Sequence, residues 1–257
     1  MTGLAALLSS VRSGSVEVID LTAPLSEDTP VIRLPAERGQ AWPFRRQAIS
    51  RYDAAGPEVY WNNIQLSEHT GTHFDAPVHW LSGRGLDDVS RVPPARLLAP
   101  AAVLDRSAEA GADPDFLLRR DDVEAWKSEH GPLPEGGWLL YRTGWDARCG
   151  DAERFLNDGH SPGIDAECAR WLAEETSLIG VGVETVGTDA GQAASFDPPF
   201  PCHWYFLGAN KYGLTQLRNL ALLPPQGALV VAAPLPIVGG SGSPSRVLAL
   251  VEHGVKP

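Results

Sequence analysis

Four side chains able to bind a metal fall within eleven consecutive positions of this sequence: His69, His73, Asp75 and His79. The chain carries seven histidines in 257 residues, so residues 66–80 hold nearly half of them. Imidazole nitrogen and carboxylate oxygen suit a divalent first-row metal, and a catalytic centre needs few protein ligands provided that a position is left for water. Hydrolytic metal chemistry is therefore what this segment points to. A lone loop histidine is more often satisfied by backbone hydrogen bonds, but four such groups gathered around Gly71 and Pro77 favour a site. His69 and His73 have the i, i+4 spacing of a zinc-protease helix. No Glu follows His69, however, Thr70, Gly71 and Thr72 are poor helix formers, and Pro77 forbids continuation. The segment is expected to be a strand leading into a bent loop.

The elements that must position this segment read as α/β. A short helix is expected over residues 2–12 and a strand over 16–21, on its β-branched content. Pro24, Pro30 and Pro35 keep residues 22–48 extended or turning, an irregular arm flanked by Trp42, Phe44, Tyr52, Tyr60 and Trp61. Residues 59–66 read as the strand that delivers the histidines. Strand 101–105, helix 121–129 and strand 138–143 then alternate, with Asp121 and Asp122 placed to cap the helix. Ile164, Cys168, Trp171 and Leu172 form the apolar stripe of a second helix that starts after Pro162. Strand 178–183 leads to Glu184 and Asp189, at a strand end where ligands collect in α/β sheets. His203 follows Pro201, residues 212–219 are expected to form a helical turn carrying Gln216, and strands 228–233 and 246–251 flank a polar loop at 241–245. No composition break divides the chain, so residues 1–257 are expected to form one domain.

Composition narrows the partners. A net charge of −11 with no basic cluster beyond Arg45-Arg46 and Arg119-Arg120 argues against nucleic acid and against an anionic membrane surface. The N-terminus lacks a basic region ahead of a short apolar run, and no stretch approaches the ~20 apolar residues of a membrane span, so a cytoplasmic protein is expected. Cys149, Cys168 and Cys202 are odd in number and scattered, which indicates neither a disulfide framework nor a thiolate metal site.

The segment His69-Thr-Gly-Thr-His73-Phe-Asp75-Ala-Pro77-Val-His79 resembles the signature H-x-G-T-H-x-D-x-P-x-H of the cyclase family of metal-dependent hydrolases, which includes bacterial kynurenine formamidases and isatin hydrolases. Asp20-Leu-Thr, Thr29-Pro30, Tyr141-Arg-Thr-Gly144, Ile179-Gly-Val-Gly-Val-Glu-Thr185 and Ser243-Pro-Ser-Arg246 resemble further landmarks, so the likeness spans most of the chain. It implies a swivelling β/β/α fold with a mixed sheet and flanking helices, and a homodimer, in keeping with the apolar arm. By position, it implies His69, His73 and Asp75 as metal ligands and His79 as the catalytic acid/base. His203 matches a histidine that helps to hold a second metal in formamidases, or that contacts substrate. Those enzymes place a bridging Glu about twelve residues later, where this chain has Thr215 and Gln216. A neutral amide does not bridge two dications as a carboxylate does, so one ion is expected; the resemblance to isatin hydrolases implies manganese ahead of zinc, with Gln216 completing its ligands. Ile32 stands where the formamidases keep a substrate-contact Trp.

A divalent ion lowers the pKa of bound water from near 16 toward about 7, giving hydroxide at neutral pH, and polarises an amide carbonyl. His79 can then move the proton, since imidazole titrates in the required range. The expected reaction is hydrolysis of a non-peptide C–N bond in a small cyclic amide such as isatin, yielding isatinate. Trp61, Phe74 and Trp80 would contact a flat bicyclic substrate, and Ser241 and Ser243 the product's aniline nitrogen. The alternatives are a kynurenine formamidase, a lactone hydrolase, a thiol hydrolase using Cys202 beside His203, and a non-catalytic metal-binding protein.

Overall fold

The computed structural model describes residues 3–254. Helix α1 (Gly3–Ser13) and strand β1 (Val16–Asp20) open the chain, and residue 2 of the expected helix lies outside the described residues. The arm is irregular until β2 (Arg45–Asp53), which pairs with β3 (Gly56–Gln65) in a separate antiparallel hairpin. Next come β4 (His73–Asp75), β5 (Leu98–Asp105), α2 (Ser107–Ala112), β6 (Leu117–Leu118), α3 (Arg120–His130) and β7 (Trp138–Arg142). The remainder comprises α4 (Ala152–Leu156), β8 (Gly163–Ile164), α5 (Ala166–Glu175), β9 (Gly180–Val183), β10 (Tyr212–Thr215), β11 (Ala228–Pro234) and β12 (Gly242–Glu252).

The α/β expectation, a mixed sheet with flanking helices, describes this architecture. Strands β5, β7, β9 and β10 run parallel in that order, joined by crossovers that carry α3 and α5. β11 lies antiparallel to β5, and β12 antiparallel to β11. The three residues of β4 pair antiparallel with β10 on one side and β12 on the other, which closes the sheet into a circuit, with β1 hydrogen-bonded outside it to β12. Alternation along the strands divides the core in two. Val103, Trp138, Leu140, Phe74, Leu214, Val230 and Val247 meet on the enclosed face. Leu104, Leu139, Tyr141 and Val183 pack outward on Val123 and Trp126 of α3 and on Cys168, Trp171 and Leu172 of α5. The parallel strands are thus buried on both faces, as their near-continuous apolar runs require.

Several local expectations are corrected. Residues 212–219 are not helical: Tyr212, Gly213 and Leu214 are paired with β9, and residues 213–215 with β4, and a segment so enclosed satisfies its backbone only as a strand. Gln216 follows with a left-handed φ of 52° that ends the pairing. α5 begins at Ala166, capped by the Asp165 carboxylate, so Ile164 belongs to β8. At α3 the expected cap is present: the Asp122 carboxylate, at the third helical position, accepts from the backbone N–H of Arg119 in a capping box, and the helix begins at Arg120, one residue earlier than expected. β3 does not deliver the histidines, because a turn at residues 67–72 separates it from β4.

The register of β4 sets the space around Asp75, whose Cα partners are Gly213 on β10 and Gly242 on β12. A Cβ at 213 would stand 2.8 Å from Asp75 Oδ2, and one at 242 would strike the Phe74 carbonyl oxygen and lie 2.7 Å from His69 Cε1. Glycine on both sides is what makes room for the Asp75 carboxylate on the closing strand and for the His69 imidazole beside it. Gly242→Ala should destabilise the protein by about 1–3 kcal/mol and lower Tm by roughly 2–4 °C per kcal/mol. Gly150→Ala, where a Cβ meets nothing within 4 Å, should leave Tm unchanged. Equal melting temperatures for wild type and the Gly242 variant would contradict this account.

Candidate metal centre

The turn before β4 is tied down by its own side chains. Ser67 N–H donates to Thr70 Oγ1, Thr70 Oγ1 donates to the Trp42 carbonyl, and Gly71 takes φ +72° against Leu25. That places His69 over the end of β4, with His73 and Asp75 within the strand. Pro77–His79 then forms a single 3-10 turn, in which proline at the first position pre-sets φ, and it brings His79 back over His69.

Asp75 is the common neighbour. Its Oδ1 lies 2.9 Å from His69 Nδ1 and 3.3 Å from His73 Nε2. The His79 ring stacks on that of His69, with centroids 4.0 Å apart and planes at 28°, and His73 meets His69 edge-on at 5.1 Å. One ligand atom each from His69, Asp75 and His79 falls within a sphere of mutual distances below 4.8 Å. The trio brought together in this way therefore contains His79, while His73, within β4, approaches the same Asp75 oxygen at 3.3 Å. The His73 Nδ1 is 2.7 Å from the Gly71 carbonyl and 2.8 Å from Thr215 Oγ1.

Electrostatics prepare this cluster for a cation. Burial by itself would raise the pKa of Asp75, but His73 and His69 alongside hold its carboxyl well below the usual range. Burial pushes His79 down to about 3 against the pull of Asp75, with the neighbouring imidazoles adding to the fall. An ionised carboxylate is the protonation state that a divalent ion requires of such a ligand.

His203 starts a π-helical turn, His203–Leu207, and its ring lies 5.4 Å from His79 and 4.7 Å from Trp80. Its Nδ1 is in close contact with Asp189, whose carboxylate also accepts the backbone N–H groups of Cys202 and His203. Burial opposes a charge on His203, but the Asp189 hydrogen bond and charge outweigh it, and its pKa is raised. Asp189, expected at a ligand-collecting strand end, thus acts through His203. Glu184 ties two strand ends together instead: its Oε2 accepts from Thr143 N, Thr143 Oγ1 and Trp145 N, and burial raises its pKa to about 7.

Other expected contacts are relocated. Phe74 is not a substrate wall; it is 0% exposed and packs on Tyr212 and Trp138, because alternate residues of a strand face opposite sides and its neighbours His73 and Asp75 take the other. Trp61 stands 55% exposed on β3 of the separate hairpin. Ser243 is fully buried, accepting from Leu235 N and donating to Pro244 O, and so does not face a ligand. Gln216 turns its amide to the Pro30 carbonyl, 3.3 Å away, pinning the arm to the end of β10. Trp80 does reach the site, flanked by His79, His203 and Phe200. Ser241 Oγ lies 2.8 Å from His69 Nε2. Glu68, which bonds Ser241, had no mark in the sequence beyond its place next to His69. The thiol alternative fails on geometry, since Cys202 is buried, its pKa is driven well above the usual range by burial and by Asp189, and His203 bonds Asp189.

Comparison with known proteins places this geometry. An isatin hydrolase of Roseibium aggregatum is 44% identical over 97% of both chains. The solved isatin hydrolase A from Ralstonia solanacearum superposes with a TM-score of 0.95 at 49% identity, covering 98% of each chain. An isatin hydrolase solved with the product analogue thioisatinate gives 0.95 at 43% identity, over 98% of this chain and 100% of that one. The family described as "Putative cyclase" matches residues 19–190. With the signature histidines and Asp75 inside the matched segment and relatives aligned from end to end, the chain belongs to the cyclase family of hydrolases.

Proposed function

We propose that this chain is a metal-dependent hydrolase that opens the lactam of isatin to isatinate, using one divalent ion, manganese in preference to zinc. The observation that carries the reading is the His-Asp cluster lying beside Trp80, in a chain alike over nearly its whole length to isatin hydrolases. Asp75 would hold the ion together with His69 and His73, whose nearest nitrogens both approach Oδ1, and Gln216 is the further ligand that the likeness to isatin hydrolases implies. A single ion is supported by the absence of a carboxylate at residues 215 and 216 and by the engagement of Asp189 with His203. When bound, the ion supplies hydroxide at neutral pH and polarises the lactam carbonyl.

The protein's own groups do the rest. Neutral His79 accepts a proton from the attacking water and returns it to the lactam nitrogen as the C–N bond breaks, leaving a carboxylate and an aniline. The Trp80 ring, with Phe200 at 5.4 Å, offers a flat apolar face to a bicyclic substrate. His203, held by Asp189 with its ring 4.7 Å from that of Trp80, borders the same space and suits the carboxylate that forms. Exposed Trp42, Tyr52, Tyr60, Trp61 and Ile64 on the arm and hairpin are an apolar surface that a second copy would cover, which supports a homodimer. Among the described residues no helix is long and apolar enough to cross a membrane.

Three measurements test this reading. Turnover of isatin should exceed that of N-formylkynurenine in kcat/KM and vanish after EDTA, with restoration by about one equivalent of Mn2+; preference for the formamide, or a need for two equivalents, would overturn it. His79→Ala should lower kcat by ~10²-fold or more with metal content retained, whereas loss of the ion would make His79 a ligand. Light scattering at micromolar concentration should return twice the chain mass of 27.6 kDa, and a monomer would remove the dimer.

A further inference from the structure

Which nitrogen of His69 faces the ion is settled by a pair of residues outside the cluster. Glu68 Oε2 lies 2.7 Å from Ser241 Oγ and 2.9 Å from the Ser241 backbone nitrogen. A carboxylate only accepts, so both hydrogens come from Ser241, and its hydroxyl has no second one to give. What the hydroxyl offers His69 Nε2 at 2.8 Å is therefore an oxygen lone pair, and Nε2 must carry the hydrogen. In the neutral ring Nδ1 is then the bare donor, and Nδ1 is the atom 2.9 Å from Asp75 Oδ1. A lone pair turned onto an anionic oxygen in a buried place is a repulsive contact that a cation converts into an attractive one.

The loop is shaped around this relay. Ser241 sits between Gly240 and Gly242. A Cβ at 240 would come within 3.0 Å of Glu68 Oε1, and one at 242 within 2.7 Å of His69 Cε1. Ala76 N–H donates to the Ser241 carbonyl at 2.9 Å, so the serine backbone is fixed by the residue that follows Asp75. Resting on the reading that a divalent ion binds at His69 and Asp75, we propose that Glu68 and Ser241 are positioning residues of the metal centre, whose hydrogen-bond relay keeps the hydrogen on His69 Nε2 and frees Nδ1 for the ion. Ser241 then serves the metal and not the substrate nitrogen.

The relay is tested by Mn2+ binding in the absence of substrate, following the EPR signal of free Mn2+ during titration of wild type, Ser241→Ala and Glu68→Ala. Glu68→Ala removes the acceptor of the serine hydroxyl and leaves that hydroxyl free to turn toward His69, reversing the relay. Both variants should bind Mn2+ about 10–100-fold more weakly, while the metal-free proteins melt within a few degrees of wild type. Wild-type affinity in both variants overturns the proposal, as does unchanged affinity with a raised KM for isatin in Ser241→Ala, which would return that serine to the substrate. A collapse in metal-free stability that accounts for the weakened binding would reduce the pair to a structural role and overturn it too. Wild type that binds no Mn2+ would sink the metal reading along with the relay, whereas wild-type binding with unaffected variants sinks the relay alone.

Discussion

The Asp75 carboxylate, almost wholly withdrawn from water in the strand that closes the sheet, is the constraint on which the rest of the molecule depends. A charge so placed is costly unless it is paired, and the groups within reach of it are the His69 and His73 imidazoles, both approaching the same oxygen. The backbone makes room for it by placing glycine opposite Asp75 on both neighbouring strands. β4 is only three residues long, yet two of them are site residues and the third, Phe74, fills the enclosed core. Closing the sheet and building the site are therefore one event, and a residue that disturbs one disturbs the other.

From that carboxylate the electrostatics divide the imidazoles into two kinds. His79, stacked over His69 and buried, is kept neutral. His203 has a carboxylate of its own in Asp189, and its basicity is raised. Two histidines whose rings are 5.4 Å apart are thus pushed in opposite directions by their surroundings. Such a separation keeps one ring uncharged at neutral pH and favours a positive charge on the other. The supporting carboxylates, Glu68 and Asp189, do not enter the His69, Asp75 and His79 cluster; each reaches it through a bonded neighbour.

The same design accounts for the residues that chemistry alone would have assigned differently. Cys202 is a packed, inert thiol because Asp189 lies beside it and solvent does not. Glu184 leaves the end of β9 yet spends its hydrogen bonds on residues 143 and 145, holding the ends of two parallel strands together. Gln216, at a left-handed position, anchors the proline-rich arm across the end of β10.

What the sequence by itself determined is the chemistry and the class of fold. The spacing of His69, His73, Asp75 and His79, the helix at residues 166–175 and the alternation of strands and helices are local patterns, and local patterns survive in one dimension. Tertiary structure decided what depends on partners far along the chain. Residues 212–215 became a strand because β9 and β4 enclose them, although their own turn-like composition suggested a helical turn. Phe74 went to the core because the register of β4 faces it inward, and Trp61 was left exposed because β3 pairs only with β2. The partners of His69 lie 6 and 172 residues away, and no spacing rule links Ser241 to a histidine at that distance. Ligand types are inherited from sequence, but which nitrogen carries a hydrogen is set by contacts that exist only once the sheet has closed.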